Sequence, residues 1–199
     1  MDNSCRKLLC CQDVKETLEH IFWSCPCAQA CWQKLICHWT GERWELGRLH
    51  GFLAHCASRH APEISRVVMN QLIRDHPDEV DAFAAVWVRL WHMLSSICLT
   101  SLWIQRNRVT FQQGEVTVGG SVAEFWDTSM RQLRAVAKRE YRRADTQIQG
   151  TWLLLCQRAL ARQPRESSPL VTSPVQPPDS IEEPALLTRL RIYQTSCHL

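Results

Sequence analysis

Between residues 5 and 37 the chain carries seven of its eleven cysteines, and a single histidine, His20, stands among them. Cys11, His20 and Cys25 are spaced C-x8-H-x4-C. Thiolate with imidazole is the ligand set that a borderline-soft tetrahedral ion such as Zn2+ selects. A site of that kind constrains the fold strongly, because the local chain must deliver every ligand to one point. Thr17 suits the N-cap of a short helical turn, LEHIFWS, which aims His20 at the cluster. Glu16 and Glu19 suit the positive end of that turn. An unbroken helix would set Cys25 about 140° round the axis from His20, at ~100° per residue, and so away from a shared ion. Pro26 prevents this. Proline disfavours the helical region for the residue before it, so Cys25 leaves the turn while Pro26 opens the next helix as its first residue. A thiol at that helix's N-terminus is expected to ionise more readily.

A tetrahedral site needs a fourth ligand. A C-x-x-C pair ending at Cys11 would require cysteine at position 8, and the residue there is Leu8. Cys5, Cys10 and Cys27 are the candidates. Adjacent Cys10 and Cys11 rarely hold one ion because neighbouring side chains diverge, so Cys5 is preferred, completing a three-cysteine, one-histidine site, with Cys10 and Cys27 as alternatives. Cysteine is also a common core residue, and Cys31, Cys37, Cys98 and Cys156 are expected in that role. A disulfide framework fits poorly, since the cysteine count is odd and the opening MDNSCRKLLC holds no apolar signal segment. An intracellular setting, nucleus or cytoplasm, is expected.

The residues around this cluster resemble the zinc-binding region that lies downstream of the polymerase domain in non-LTR, LINE-like retrotransposon reverse transcriptases. The family pattern runs roughly C-x-x-C, then E-T-x-x-H-hydrophobic-F-x-x-C-P-x-A and a tryptophan a few residues on. Cys11, Glu16, Thr17, His20, Ile21, Phe22, Cys25, Pro26, Ala28 and Trp32 match it, and Leu8 is the departure. A W-x-x-R-N-x-x-V-F-like segment often follows in such elements. Trp103, Arg106, Asn107, Val109 and Phe111 are similar to it, with Val109 one place early. The resemblance therefore covers roughly residues 5 to 112. It implies a zinc module that helps hold template RNA or target DNA. The polymerase's paired aspartates, the endonuclease and any RNase H domain are missing, so this chain is not expected to copy RNA by itself.

The rest of the chain reads as mostly α: a zinc-knuckle module over 5–45, a helical region over 46–163, and a Pro/Ser-rich disordered tail over 164–199 that holds six of the nine prolines. Trp32, Leu35, Ile36 and Trp39 recur at i, i+3, i+4, i+7 and predict a buried helical face over 26–39. Gly41, Gly47 and Gly51 predict a loop over 40–61, in which His50, His55, Cys56 and His60 are expected to be ordinary loop residues rather than a second metal site. Ile64, Val67, Val68, Leu72 and Ile73 predict a helix ending near Asp75, before a break at His76-Pro77-Asp78. A long apolar helix follows to about Asn107, with Asn107 as a left-handed cap. Arg89, His92, Ser95 and Ser96 interrupt it, so a core helix is expected and no membrane. Ser121 and Glu124 form an S-x-x-E capping box that predicts the next helix start, and Gly150 predicts an interruption before TWLLLCQRALARQ.

A net charge of +3 does not by itself point to nucleic acid. Its distribution says more: Arg131, Arg134, Lys138, Arg139, Arg142 and Arg143 gather against Glu140 alone, an electrostatic footprint for phosphates. No Walker or dinucleotide glycine loop, nucleophile elbow or H-E-x-x-H helix appears, so a non-catalytic protein is expected. The competing expectation is a structural or protein-interaction domain of a domesticated or decayed retroelement, binding a protein partner through its Trp-rich helices without nucleic acid.

Overall fold

The computed structural model of the chain describes residues 5, 11, 14–41, 48–58 and 60–161. Cys10 and the segment expected as a disordered tail, 164–199, lie outside the described residues. Apolar residues recurring every three to four positions make helices of nearly all the rest. A single π-helical turn, His20–Ser24, precedes α1 (Pro26–Thr40), α2 (Arg48–Ser58) and α3 (Arg66–Asp75). A 3-10 turn, Pro77–Glu79, then leads into α4 (Val80–Gln112), α5 (Val118–Tyr141) and α6 (Gln147–Ala161), and no strand occurs among the described residues.

α4 is the centre of the packing. Its buried stripe includes Phe83, Trp87, Leu90, Trp91, Leu94 and Cys98, and α1 meets it through Trp39, whose ring lies 4.6 Å from Trp87 and 5.0 Å from Trp91. Trp32, Leu35, Ile36 and Trp39 are all buried as their spacing predicts. α6 reaches α4 through Trp152, edge-on to Phe83 at 4.5 Å. Two ion pairs fix the direction of α5. Arg108 grips Glu124 in a fork of 3.0 and 2.7 Å, and Arg89 binds Glu140, with Nη1 to Oε2 at 2.9 Å. Numbers fall along α4 as they rise along α5, so the two helices are antiparallel.

By length and composition α4 passes for a membrane span, with mean hydropathy 1.4 over its best window, but half of that window is buried inside the protein. Its apolar stripe is covered by α1, α5 and α6, as a core helix requires.

Several local expectations are corrected. The segment 48–58 is a helix rather than a loop. Gly51 is exposed with open space around it, and packing through Cys56 and the half-buried Phe52 outweighs the ~1 kcal/mol that a helical glycine costs. Asn107 lies inside α4, which runs on to Gln112, and the left-handed cap is Gln113 at φ 53°. α5 starts at Val118, capped by Thr117, whose Oγ1 accepts from Gly120 N at 3.0 Å. Glu124, freed from the cap, pairs with Arg108 instead. Ile73, expected on the buried face of α3, is 46% exposed. Finally, the chain turns at 142–146, before α6, and Gly150 sits inside α6. A Cβ there would stand 2.2 Å from Tyr141 N and 2.8 Å from Ala137 O. Glycine at 150 is what lets α6 cross so close to the end of α5.

Candidate metal centre

The structure gathers Cys5, Cys11, His20 and Cys25 into one buried group whose ligand atoms all lie within 4.8 Å of one another. Local hydrogen bonds explain how. Thr17 Oγ1 accepts from His20 N at 3.0 Å, the cap expected from the sequence. The chain then closes a π-turn, and Cys25 leaves it with extended backbone (φ −62°, ψ 134°) while its N–H bonds to His20 O. Pro26 opens α1. On the other side, Cys5 N donates to Val14 O at 2.9 Å and Val14 N donates to Cys11 O at 3.0 Å. Three ligands are thus fastened to the short segment 14–17.

The donor set suits a metal ion. His20 Nε2 is buried without a hydrogen-bond partner, and an imidazole nitrogen left so is costly unless something accepts its lone pair or its proton. Three thiols beside it supply the remaining corners of a tetrahedron. This group can therefore hold a metal ion. No second group of this kind forms among the described residues: Cys56 is buried, its thiol pushed well up by that burial, and His55 Nδ1 lies 3.2 Å from His60 O.

Of the alternatives for the fourth ligand, Cys27 is fully buried on the first turn of α1. It lies against Cys25 without joining the four. Its thiol pushes the Cys25 thiol up, Cys5 pulls it back in part, and burial adds to the rise. None of the described cysteines is in a disulfide.

Aromatic side chains from the segments that carry the ligands pack on one another and on α4. Trp32 Nε1 donates to Phe22 O at 2.8 Å, and Trp32 stacks on Trp23 with centroids 5.1 Å apart. Phe22 stacks on Trp103 of α4 at 6.2 Å. Beside that contact, Arg106 holds Glu16, Nε to Oε1 at 2.7 Å and Nη2 to Oε1 at 2.5 Å. The link between Glu16 and Arg106, 90 positions apart, was not predicted from the sequence. Both residues belong to the two motif segments, and their opposite charges were the available signal.

The basic cluster is split by the structure. Arg131, Arg134, Lys138, Arg139, Arg142 and Arg143 are all exposed. Arg131, Arg134, Lys138 and Arg142 share one face at i, i+3, i+7, i+11, and Arg131, Arg134 and Lys138 border a shallow groove with Asp127, Met130 and Ala135. Arg139 and Arg143 turn toward the side of Glu140. Glu140 itself is buried and bound to Arg89, so the one acid within the cluster is neutralised from α4.

No model of a known protein family matches the chain, and neither does any curated protein or solved structure.

Proposed function

We propose that this chain is a non-catalytic zinc module of the retrotransposon reverse-transcriptase type that assists the binding of RNA or target DNA. The observation that carries it is the buried Cys5–Cys11–His20–Cys25 group with its unpartnered imidazole nitrogen. Three thiolates and one imidazole form a closed, four-ligand set, the kind used for structural rather than catalytic zinc. When bound, the ion supplies folding energy to a segment in which Ile21 is the large apolar side chain buried among the described residues.

The nucleic-acid part rests on the α5 face. Four cations spread over 11 positions, ~16 Å at the helical rise, match about five phosphate steps of one strand at 3.4 Å per step. Such contacts give affinity without base readout. For the competing protein-partner proposal, Trp32, Trp39, Trp87 and Trp91 are each 0% exposed and fill the core, so Trp103, 40% exposed on α4, is the ring that such a partner would meet.

The test has two parts. Zinc is measured in protein purified without added metal, for the parent and for His20→Ala; one ion per chain in the parent and none in the variant is expected. Binding of an RNA oligonucleotide is then titrated against salt. With Z of about 4, log K should fall against log[salt] with slope about −2.8 for a single strand and about −3.6 for a duplex. Each of Arg131→Gln, Lys138→Gln and Arg142→Gln should flatten that slope by about 0.7 to 0.9. A zinc-free, well-folded parent sinks the metal part, and a slope unmoved by these substitutions removes the α5 face.

A further inference from the structure

We infer that Arg106 of α4 is an outer-sphere positioning residue of the metal centre: through Glu16 it holds the segment from which Cys5, Cys11 and His20 hang. This rests on the metal-binding proposal above.

Each of those three ligand residues has a hydrogen bond to the segment 14–17. Cys5 is tied to Val14 O, Cys11 to Val14 N and His20 N to Thr17 Oγ1. Glu16 stands between these anchor points and makes the side-chain ion pair that joins them to a rigid helix. Its side chain is 11% exposed and the Arg106 side chain 21%, so the pair is largely withdrawn from water and the two charges depend on each other. The guanidinium is itself fixed on its other sides. Nη1 donates to Asn107 Oδ1 at 3.1 Å, and the rings of Trp103 and Phe111 flank it at 5.4 and 5.6 Å. Trp103 in turn stacks on Phe22, two residues past His20. A planar fork locked in this way cannot be replaced by lysine, whose ammonium is a point charge on a mobile stem.

Partners of metal ligands orient them, and their loss typically weakens metal binding about 10- to 100-fold. Arg106 sits one step further out than the usual partner, acting on the backbone that carries the ligands. The arrangement also accounts for the two motif segments, 11–32 and 103–111, as halves of one site. The first brings the ligands and the second brings the clamp.

The test is zinc affinity by competition with a chelating dye on the full chain, alongside the Co2+-loaded absorption spectrum. The parent is compared with Arg106→Gln, Arg106→Lys, Glu16→Gln and the double Glu16→Gln/Arg106→Gln. Arg106→Gln and Glu16→Gln are each expected to weaken zinc about 10-fold or more. The double variant should be no weaker than the worse single one, because one link is being removed twice. Arg106→Lys should not restore affinity, and the Co2+ bands should shift as the ligands lose their fixed geometry. Helical circular dichroism unchanged in all four would separate this from general unfolding. Zinc affinity within twofold of the parent in a folded Arg106→Gln protein would overturn the inference while leaving the metal centre standing. A parent that binds neither Zn2+ nor Co2+ would overturn both.

Discussion

Among the described residues from 5 to 25, the buried ones are Cys5, Cys11, His20, Ile21 and Cys25. α4 alone buries Phe83, Val86, Trp87, Leu90, Trp91, Leu94, Ile97, Cys98 and Leu102. The first region fully buries one large apolar side chain, Ile21, beside a set of ligand atoms, with Phe22 and Trp23 only partly covered; the second buries a long apolar stripe in which Ser95 and Gln105 are the fully covered polar residues. Apolar burial is worth roughly 25 cal/mol per Å2, so α4, α5 and α6 can hold one another by exclusion of water. The ligand-bearing segment cannot, and it relies on short hydrogen bonds, a pair of ring stacks and the Glu16–Arg106 link. A small segment short of core generally needs a staple of another kind. Each part should therefore fail in its own way: the bundle under changes of volume, the ligand segment under changes of single polar contacts.

The largest effect is expected at the meeting of the two regions' supports. Trp39→Ala removes a fully buried indole wedged against Trp87 and Trp91 and should cost about 3–5 kcal/mol in chemical denaturation. A loss below about 1 kcal/mol would mean that the bundle is not held by burial. Next comes Gly150→Ala. Its new Cβ would overlap Tyr141 backbone, forcing α5 and α6 apart at a cost of about 3 kcal/mol. A neutral result would show that the crossing has slack.

Alkali sharpens the contrast further. Burial pushes the Cys156 thiol up to about 12, from an ordinary 9.0. Below pH 9 both folded and unfolded chains keep that proton, so its contribution is fully present. Above it the unfolded chain ionises first, and stability is lost as pH rises toward 12. At pH 10 the loss from this thiol should be about 1 kcal/mol, and Cys156→Ala should make the limb between pH 9 and 11 shallower than in the parent. An identical limb would assign the loss to other groups. The smallest effect belongs to the ligand segment: Thr17→Ala removes the cap on His20 N and should cost about 1 kcal/mol. It should appear as faster amide exchange at His20 and Ile21, with α4–α6 unchanged. Exchange that spread into α4 would show that the two regions melt together.

Much of this was legible from short-range pattern. The cap at Thr17, the exit of Cys25 before Pro26, the buried face of α1 and the stripe of α4 each depend on residues within about one or two helical turns, where sterics and periodicity act directly. The errors have a common cause. Gly51 and Gly150 read as breakers in the sequence because glycine weakens helices, yet both lie in helices. At Gly150 the missing side chain is what a neighbouring backbone needs, and nothing local announces that. The Ser121–Glu124 box is a plausible helix start, but Glu124 is held by Arg108, 16 positions away, and Asn107, a plausible end, stays inside α4 and accepts from its neighbour Arg106.

Local pattern carries the kind of element and the chemistry on offer: helices from apolar spacing, a sulfur-and-imidazole ligand set, and a cluster of cations late in the chain. Tertiary structure alone decided which of those groups meet. It drew Cys5 to Cys11, His20 and Cys25, set Arg106 on Glu16 across 90 positions, and turned Glu140 inward to Arg89 so that its charge is neutralised beside the α5 cations. Periodicity fixes the side of a helix on which a residue lies. Only packing fixes what lies opposite it, because that depends on how far two helices slide and how closely they cross.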